Sequence, residues 1–211
     1  MRRERIVRSL LVFLWGVAAL PYAGCGGGGD WGPLEEKRFA VDESQLDRAV
    51  TDSTLSLTMR FPVGFESLSA AAVGRIQEQA RQERRPEDPF SFTPVIVFAL
   101  NPGAQAVCNV ARFDNAPSKG MNKAWADRLL QAIKEQISTQ APDARVSEEW
   151  FLLKGRPALA VRIDLPSVMA YRVVCQGTSP APVRIDYVIP RVLEAEIWPG
   201  VESSLGTLRF F

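Results

Sequence analysis

Histidine is missing altogether from this 211-residue chain. Ser-His-Asp and Cys-His nucleophile systems and histidine-based zinc sites all need an imidazole, so none of them can be built here. Cysteine is scarce, with only Cys25, Cys108 and Cys175. No Gly-x-Ser-x-Gly elbow occurs. The single glycine run, Gly26 to Gly29, lacks the Lys-Ser or Lys-Thr that a phosphate-cradling loop requires after it. Neither sign of charge is in excess, with 25 Lys and Arg against 24 Asp and Glu. That balance gives no electrostatic reason to expect nucleic acid. No internal repeat, metal-ligand spacing or cofactor motif is present, so no cofactor is implied.

What is present is an address. Arg2, Arg3, Arg5 and Arg8 form a basic start, Leu10 to Leu20 an apolar stretch, and Tyr22-Ala23-Gly24-Cys25 a small-residue end. This is the order of a secretory signal. The uncharged run Ser9 to Gly24 has 16 residues, short of the ~20 a spanning helix needs. Tyr22-Ala23-Gly24-Cys25 resembles the lipobox of bacterial lipoproteins, with Tyr22 departing from the usual leucine. The resemblance implies that residues 1–24 are removed, that Cys25 carries lipid, and that the bilayer is one partner. Gly26, where an aspartate would favour the inner membrane, implies the outer membrane facing the periplasm. An ordinary signal peptide cut near Val17-Ala18-Ala19 is the competing reading, and it would leave a free thiol.

Residues 25–52 read as a flexible tether, because Gly26 to Gly29 bury nothing and Asp30 to Asp52 show no sustained apolar period. Residues 53–211 are then one globular domain of a size that supports a real core. Without residues 1–24 the chain has 21 basic and 23 acidic side chains, a net charge of −2. If Cys25 is lipidated, Cys108 and Cys175 are left as a pair in strand-like segments. An oxidising compartment allows a disulfide between them; two buried thiols acting as small apolar residues fit equally.

Periodicity organises the domain. Thr54 to Phe61 alternates as a half-buried strand, and Glu66 to Arg85 has a helical pattern stopped by Pro86. Pro94 to Leu100 is a covered central strand, followed by Val107 to Phe113. Asn122 to Ser138 is the best helix, with Ala126, Leu129, Leu130, Ile133 and Ile137 on one face. Strands follow at Arg145 to Leu153, Pro157 to Leu165, Met169 to Gln176 and Val183 to Ile189. Arg191 to Trp198 reads as one more, Pro199-Gly200 as the opening of a polar turn, and Thr207 to Phe211 as a terminal strand. Hairpin-length connections between most strands predict an α+β fold, an antiparallel β-sheet with helices packed on it.

Several short motifs carry a family resemblance. They are Arg60-Phe61-Pro62-Val63-Gly64-Phe65, the central amphipathic helix, Lys154-Gly155-Arg156-Pro157-Ala158 between two strands, and the closing Ser203-Ser204-Leu205-Gly206-Thr207-Leu208-Arg209-Phe210. Together they are similar to the PsbP-like and Mog-like superfamily, whose bacterial members include envelope lipoproteins related to DcrB. The resemblance implies an α/β/α sandwich and supplies no catalytic residues.

Candidate functional residues are few. Glu148 and Glu149 point to opposite faces of a strand. Asp164 and Asp186, each two residues from an arginine (Arg162, Arg184), read as exposed cross-strand ion pairs. Arg81, Arg84 and Arg85 form a mixed-charge run with Glu83, Glu87 and Asp88, either a solvated helix end or a partner-docking patch. Trp125 and Trp150 read as core, and Trp198, beside Pro199-Gly200, as an exposed aromatic that could line a partner or ligand surface. The expectation is a non-enzymatic cell-envelope lipoprotein, an accessory or assembly factor that docks on another envelope protein. A small-ligand or glycan-binding module is the alternative, and a carboxylate-only hydrolase a third.

Overall fold

The computed structural model of the protein describes residues 31–83, 90–100, 103–178 and 181–211. The signal segment, Cys25, Arg84 and Arg85 lie outside the described residues. A seven-stranded sheet dominates. In spatial order it runs β3 (Phe65–Ser67), β4 (Phe92–Leu100), β5 (Val107–Phe113), β9 (Val183–Pro190), β8 (Val168–Cys175), β7 (Arg156–Asp164) and β6 (Arg145–Leu153). Every neighbouring pair is antiparallel. The β6–β7 turn has Lys154 at φ 53° and Gly155 at φ 73°, the two positive values that a tight hairpin matching strand twist demands. A smaller antiparallel sheet contains β1 (Leu46–Asp52), β2 (Leu57–Pro62) and β10 (Arg209–Phe210), with β2 in the middle.

The period of two sorts side chains onto two faces. Cys108, Val110, Val173, Ile185, Tyr187 and Ile189 point to one core, which the small sheet and helix α3 (Glu194–Gly206) cover. Ala111, Phe113, Leu159, Val161 and Val174 point to the other, where helix α2 (Lys123–Gln140) buries Trp125, Leu129 and Ile133. Asn122 caps α2, its Oδ1 accepting from the Trp125 N–H at 2.9 Å. Helix α1 (Ala70–Glu83) lies against β4, and Gln77 Nε2 donates to the Pro94 carbonyl at 2.9 Å. It thereby occupies edge backbone that the short β3 leaves open. Among the described residues no helix is long and apolar enough to cross a membrane.

Two expectations are corrected. Arg191 to Trp198 is no strand: residues 191–193 form a 3-10 turn and α3 follows, with Pro199 inside it. Nor are residues 31–52 a tether. Trp31 packs on Trp150, ring centroids 5.8 Å apart, and the Lys37 N–H donates to the Leu152 carbonyl at 2.9 Å. Phe39 packs edge-on against Phe151, and the Asp42 N–H donates to Ser203 Oγ. The segment then enters β1, which pairs with β2. It is a strap running from the edge of β6 to α3.

Gly206 makes that crossing possible. A Cβ there would stand 2.7 Å from Val41 Cγ2 and 2.8 Å from the Phe39 carbonyl oxygen. Gly206→Ala would ordinarily gain up to about 1 kcal/mol of helix propensity. Here a fixed backbone oxygen must move, at about 1–3 kcal/mol. The expected result is net destabilisation in urea and faster amide exchange over residues 37–42. A variant at least as stable as the parent would show that the strap does not sit against α3.

Candidate functional site

The cysteines lie on one face of the large sheet, yet apart. Cys108 on β5 is opposite Tyr187, and Cys175 on β8 is opposite Val183. With β9 between them they are two strand spacings apart, about 9–10 Å, before the stagger along β9 is added. A disulfide needs Cα atoms within about 7 Å, so the pairing allowed by the sequence is corrected: both are separate, buried thiols. Burial pushes both upward, Cys175 to about 12 and Cys108 further, so neither is a thiolate at neutral pH.

Trp198 is half-buried on α3 rather than free, stacked edge-on against Tyr171 with centroids 4.9 Å apart. The Arg162 guanidinium lies 5.9 Å from its ring. Beneath it is a closed set of ion pairs. Arg162 bonds Asp164 and Glu194, and Arg191 Nη1 bonds Asp164 Oδ1 at 2.8 Å and Glu194 Oε2 at 2.6 Å. These two carboxylates act as counter-ions. Glu148 pairs with Lys134 and Glu149 with Lys37, on opposite faces as the strand alternation requires. Arg81 is exposed and 3.8 Å from Glu78. No group of three or more metal-ligating side chains occurs among the described residues.

Asp186 departs from expectation. Its side of the strand is not solvated. Asp186 and Arg184 are each 1% exposed and Arg172 is 8%. Arg172 Nε donates to Asp186 Oδ1 at 2.7 Å, and Arg184 Nε donates to Oδ2 at 2.5 Å. The Arg184 guanidinium also lies over Phe92, its Cζ 3.5 Å from the ring centre. Burial, then the neighbouring Arg172 charge, pushes Arg184 down to about 9, which leaves it cationic at neutral pH. Asn109, opposite Asp186 on β5, has a buried Oδ1 with no hydrogen-bond partner among the described residues. On the opposite face, the Tyr187 hydroxyl bonds Ser204 Oγ, which donates to the Arg60 carbonyl. Ser204 is fully buried, so no substrate reaches it.

The described residues also form an open concavity. A groove of about 380 Å³ runs along the seam between the two sheets. Phe61, Phe65 and Phe98 form its floor; Asp47, Arg48 and Val50 of β1 line one bank and Glu66 and Ser67 of β3 the other. Phe61 and Phe98 stack with centroids 4.0 Å apart. Sequence reasoning missed the site because its first bank lies in a strand read as tether. Its second lies where a long helix was expected from Glu66. The remaining signal was Phe65 directly after Gly64, whose φ of 84° marks the turn between the sheets.

No protein-family model matches the chain, and no curated protein sequence does. Solved structures do resemble it. The solution structure of cyanobacterial PsbP (CyanoP) from Synechocystis sp. PCC 6803 superposes with a TM-score of 0.50 at 11% identity, covering 90% of this chain and 98% of that one. A crystal structure from Bacteroides thetaiotaomicron VPI-5482 gives a TM-score of 0.43 at 11% identity, covering 78% of this chain and 48% of that one. At such identity the likeness to the first is one of architecture alone: this chain has a PsbP-like α+β fold.

Proposed function

We propose that the chain is a membrane-anchored envelope lipoprotein whose domain is non-catalytic and docks on another envelope protein as an accessory or assembly factor. The observation that carries the docking role is the seam groove, a concavity whose accessible banks carry Asp47, Arg48, Glu66 and Ser67. Elsewhere the reactive groups described above are buried, or clamped by opposite charge. The PsbP-like fold is compatible with this role and lends it no specific partner. A small-ligand or glycan module draws on the same groove. However, Phe61, Phe65 and Phe98 are at most 4% exposed, leaving no ring face for a sugar to stack on.

Anchoring rests on Tyr22-Ala23-Gly24-Cys25, and the strap gives it a geometry. Only six positions separate Cys25 from Trp31, so at most about 20 Å of chain joins the lipid to the folded domain. Two or more acyl chains would hold such a domain stably against the bilayer.

Thiol counting tests the anchor. Denatured protein purified from membranes should react with two equivalents of maleimide, at Cys108 and Cys175, because Cys25 is a thioether. Native protein should react with none. Cys25→Ser should move the protein from the membrane fraction to the soluble one. Three reactive thiols in the denatured protein would end the lipoprotein reading.

A further inference from the structure

The strap fixes where the chain enters the domain. The Leu152 N–H donates to the Glu35 carbonyl at 2.8 Å and the Lys37 N–H to the Leu152 carbonyl at 2.9 Å, so residues 35–37 are held along the edge of β6. Four residues earlier Trp31 rests on Trp150, and the Lys123 ammonium stands 4.4 Å from the Trp150 ring centre. Both indoles are half-buried, whereas Trp125 is 1% exposed. Lys123 pairs with Asp127, Lys134 with Glu148 and Lys37 with Glu149, so these three lysines already hold carboxylates. The corner therefore offers two partly open aromatic rings where the chain arrives from Cys25. An indole, apolar in its body and polar at its N–H, favours the boundary between water and acyl chains.

We propose that this corner, Trp31 and Trp150 with Lys123 beside them, lies against the headgroup layer of the bilayer that holds Cys25, so that the domain stands on its β6 edge. This rests on the anchor reading above and names the surface that meets the lipid. Six positions from Cys25 to Trp31 span at most about 20 Å. Residues 31–211 packed compactly have a radius of gyration of about 16 Å and a width of about 40 Å. Trp31 is therefore always near the lipid, and a short link keeps its effective concentration there high. The opposite edge is remote. Six strand spacings separate β6 from β3, about 29 Å, so Ser67 and the seam groove face away from the bilayer.

Four tryptophans follow Cys25, at 31, 125, 150 and 198, and their fluorescence reports the contact. The full lipidated protein is reconstituted into phosphatidylcholine vesicles with acyl chains brominated near the headgroup end. Its emission should be quenched relative to unbrominated vesicles. Trp31→Phe combined with Trp150→Phe should lose most of that quenching, and Trp198→Phe should keep it. High salt should leave it unchanged, because the lysines are already paired and the contact is not one of charge. A nitroxide label supplies a measurement that does not depend on how the double variant folds. Cys108 and Cys175 are buried, so a thiol introduced by Glu35→Cys or Ser67→Cys is labelled alone. The ratio of relaxation by oxygen, which concentrates in acyl chains, to relaxation by a water-soluble nickel chelate should be higher at position 35 than at 67.

Anchored protein, with two reactive thiols after denaturation, that shows no quenching overturns the proposal and leaves the anchor standing. Quenching that survives in the double variant, or equal ratios at the two labelled positions, overturns it by giving the contact to another face. Quenching abolished by salt overturns it by giving the contact to charge. Three reactive thiols remove the anchor and the proposal together.

Discussion

Asp186→Ala is expected to destabilise the domain by about 3–5 kcal/mol, read as a lower urea midpoint at unchanged slope. One carboxylate holds two guanidiniums, Arg172 through Oδ1 and Arg184 through Oδ2. Its removal takes away the carboxylate that bridges Arg184, 1% exposed, and Arg172. Out of a total stability of about 5–15 kcal/mol, such a loss consumes a large fraction. Asp164→Ala is the control, because its partners Arg162 and Arg191 keep Glu194 and reach solvent. It should cost no more than about 1 kcal/mol. Replacing Arg172, Asp186 and Arg184 together by apolar residues of similar volume should recover most of the loss. If Asp186→Ala cost no more than Asp164→Ala, the row would have to be hydrated in solution.

The difference between these two aspartates was invisible in the sequence. Both occur as Arg-x-Asp on alternating strands, Arg162 to Asp164 and Arg184 to Asp186. What separates them is position in the sheet. β9 is central, with neighbours on both sides, whereas Asp164 ends β7 near the start of α3. Strand existence was legible because β4 to β9 have apolar alternation or unbroken apolar runs, and α2 because its apolar residues recur at spacings of three and four. α3 was hidden by Pro199-Gly200, read as a breaker. In place, Gly200 passes against Pro62, where a Cβ would come within 2.9 Å, so its role is close approach and not a turn.

β1 shows a different limit. Only Leu46 of its seven residues is buried, and Val50 is partly so. An edge strand of that composition carries almost no periodic signal, and pairing with β2 decides its conformation. The groove inherits this limit, since it exists only where β1 and β3 come together. Cys108 and Cys175 illustrate a third case: each segment was legible as a strand, but their separation is a matter of strand order, which local sequence does not encode.

Trp125→Ala is the second large effect, expected at about 3–5 kcal/mol. The indole is 1% exposed and meets Phe113 edge-on at 5.0 Å and Phe90 at 5.7 Å. Its Nε1–H is buried without an acceptor among the described residues. Trp125→Phe therefore removes ring volume and, with it, an unsatisfied donor that itself costs about 1–3 kcal/mol. The phenylalanine variant should lose no more than about 1–2 kcal/mol, far less than alanine; a loss as large as that of alanine would mean that the indole N–H bonds a water in solution. The helix cap at Asn122 uses the Trp125 backbone and is unchanged in either variant. Contacts continue from Trp125 to Phe113, to its strand partner Phe92, and to the Arg184 guanidinium resting on that ring. Combining Trp125→Ala with Asp186→Ala should then give a loss that differs from the sum by more than about 0.5 kcal/mol, the margin within which independent sites add. Strict additivity would mean that the aromatic cluster and the buried charge row, though joined by contacts, respond as separate units.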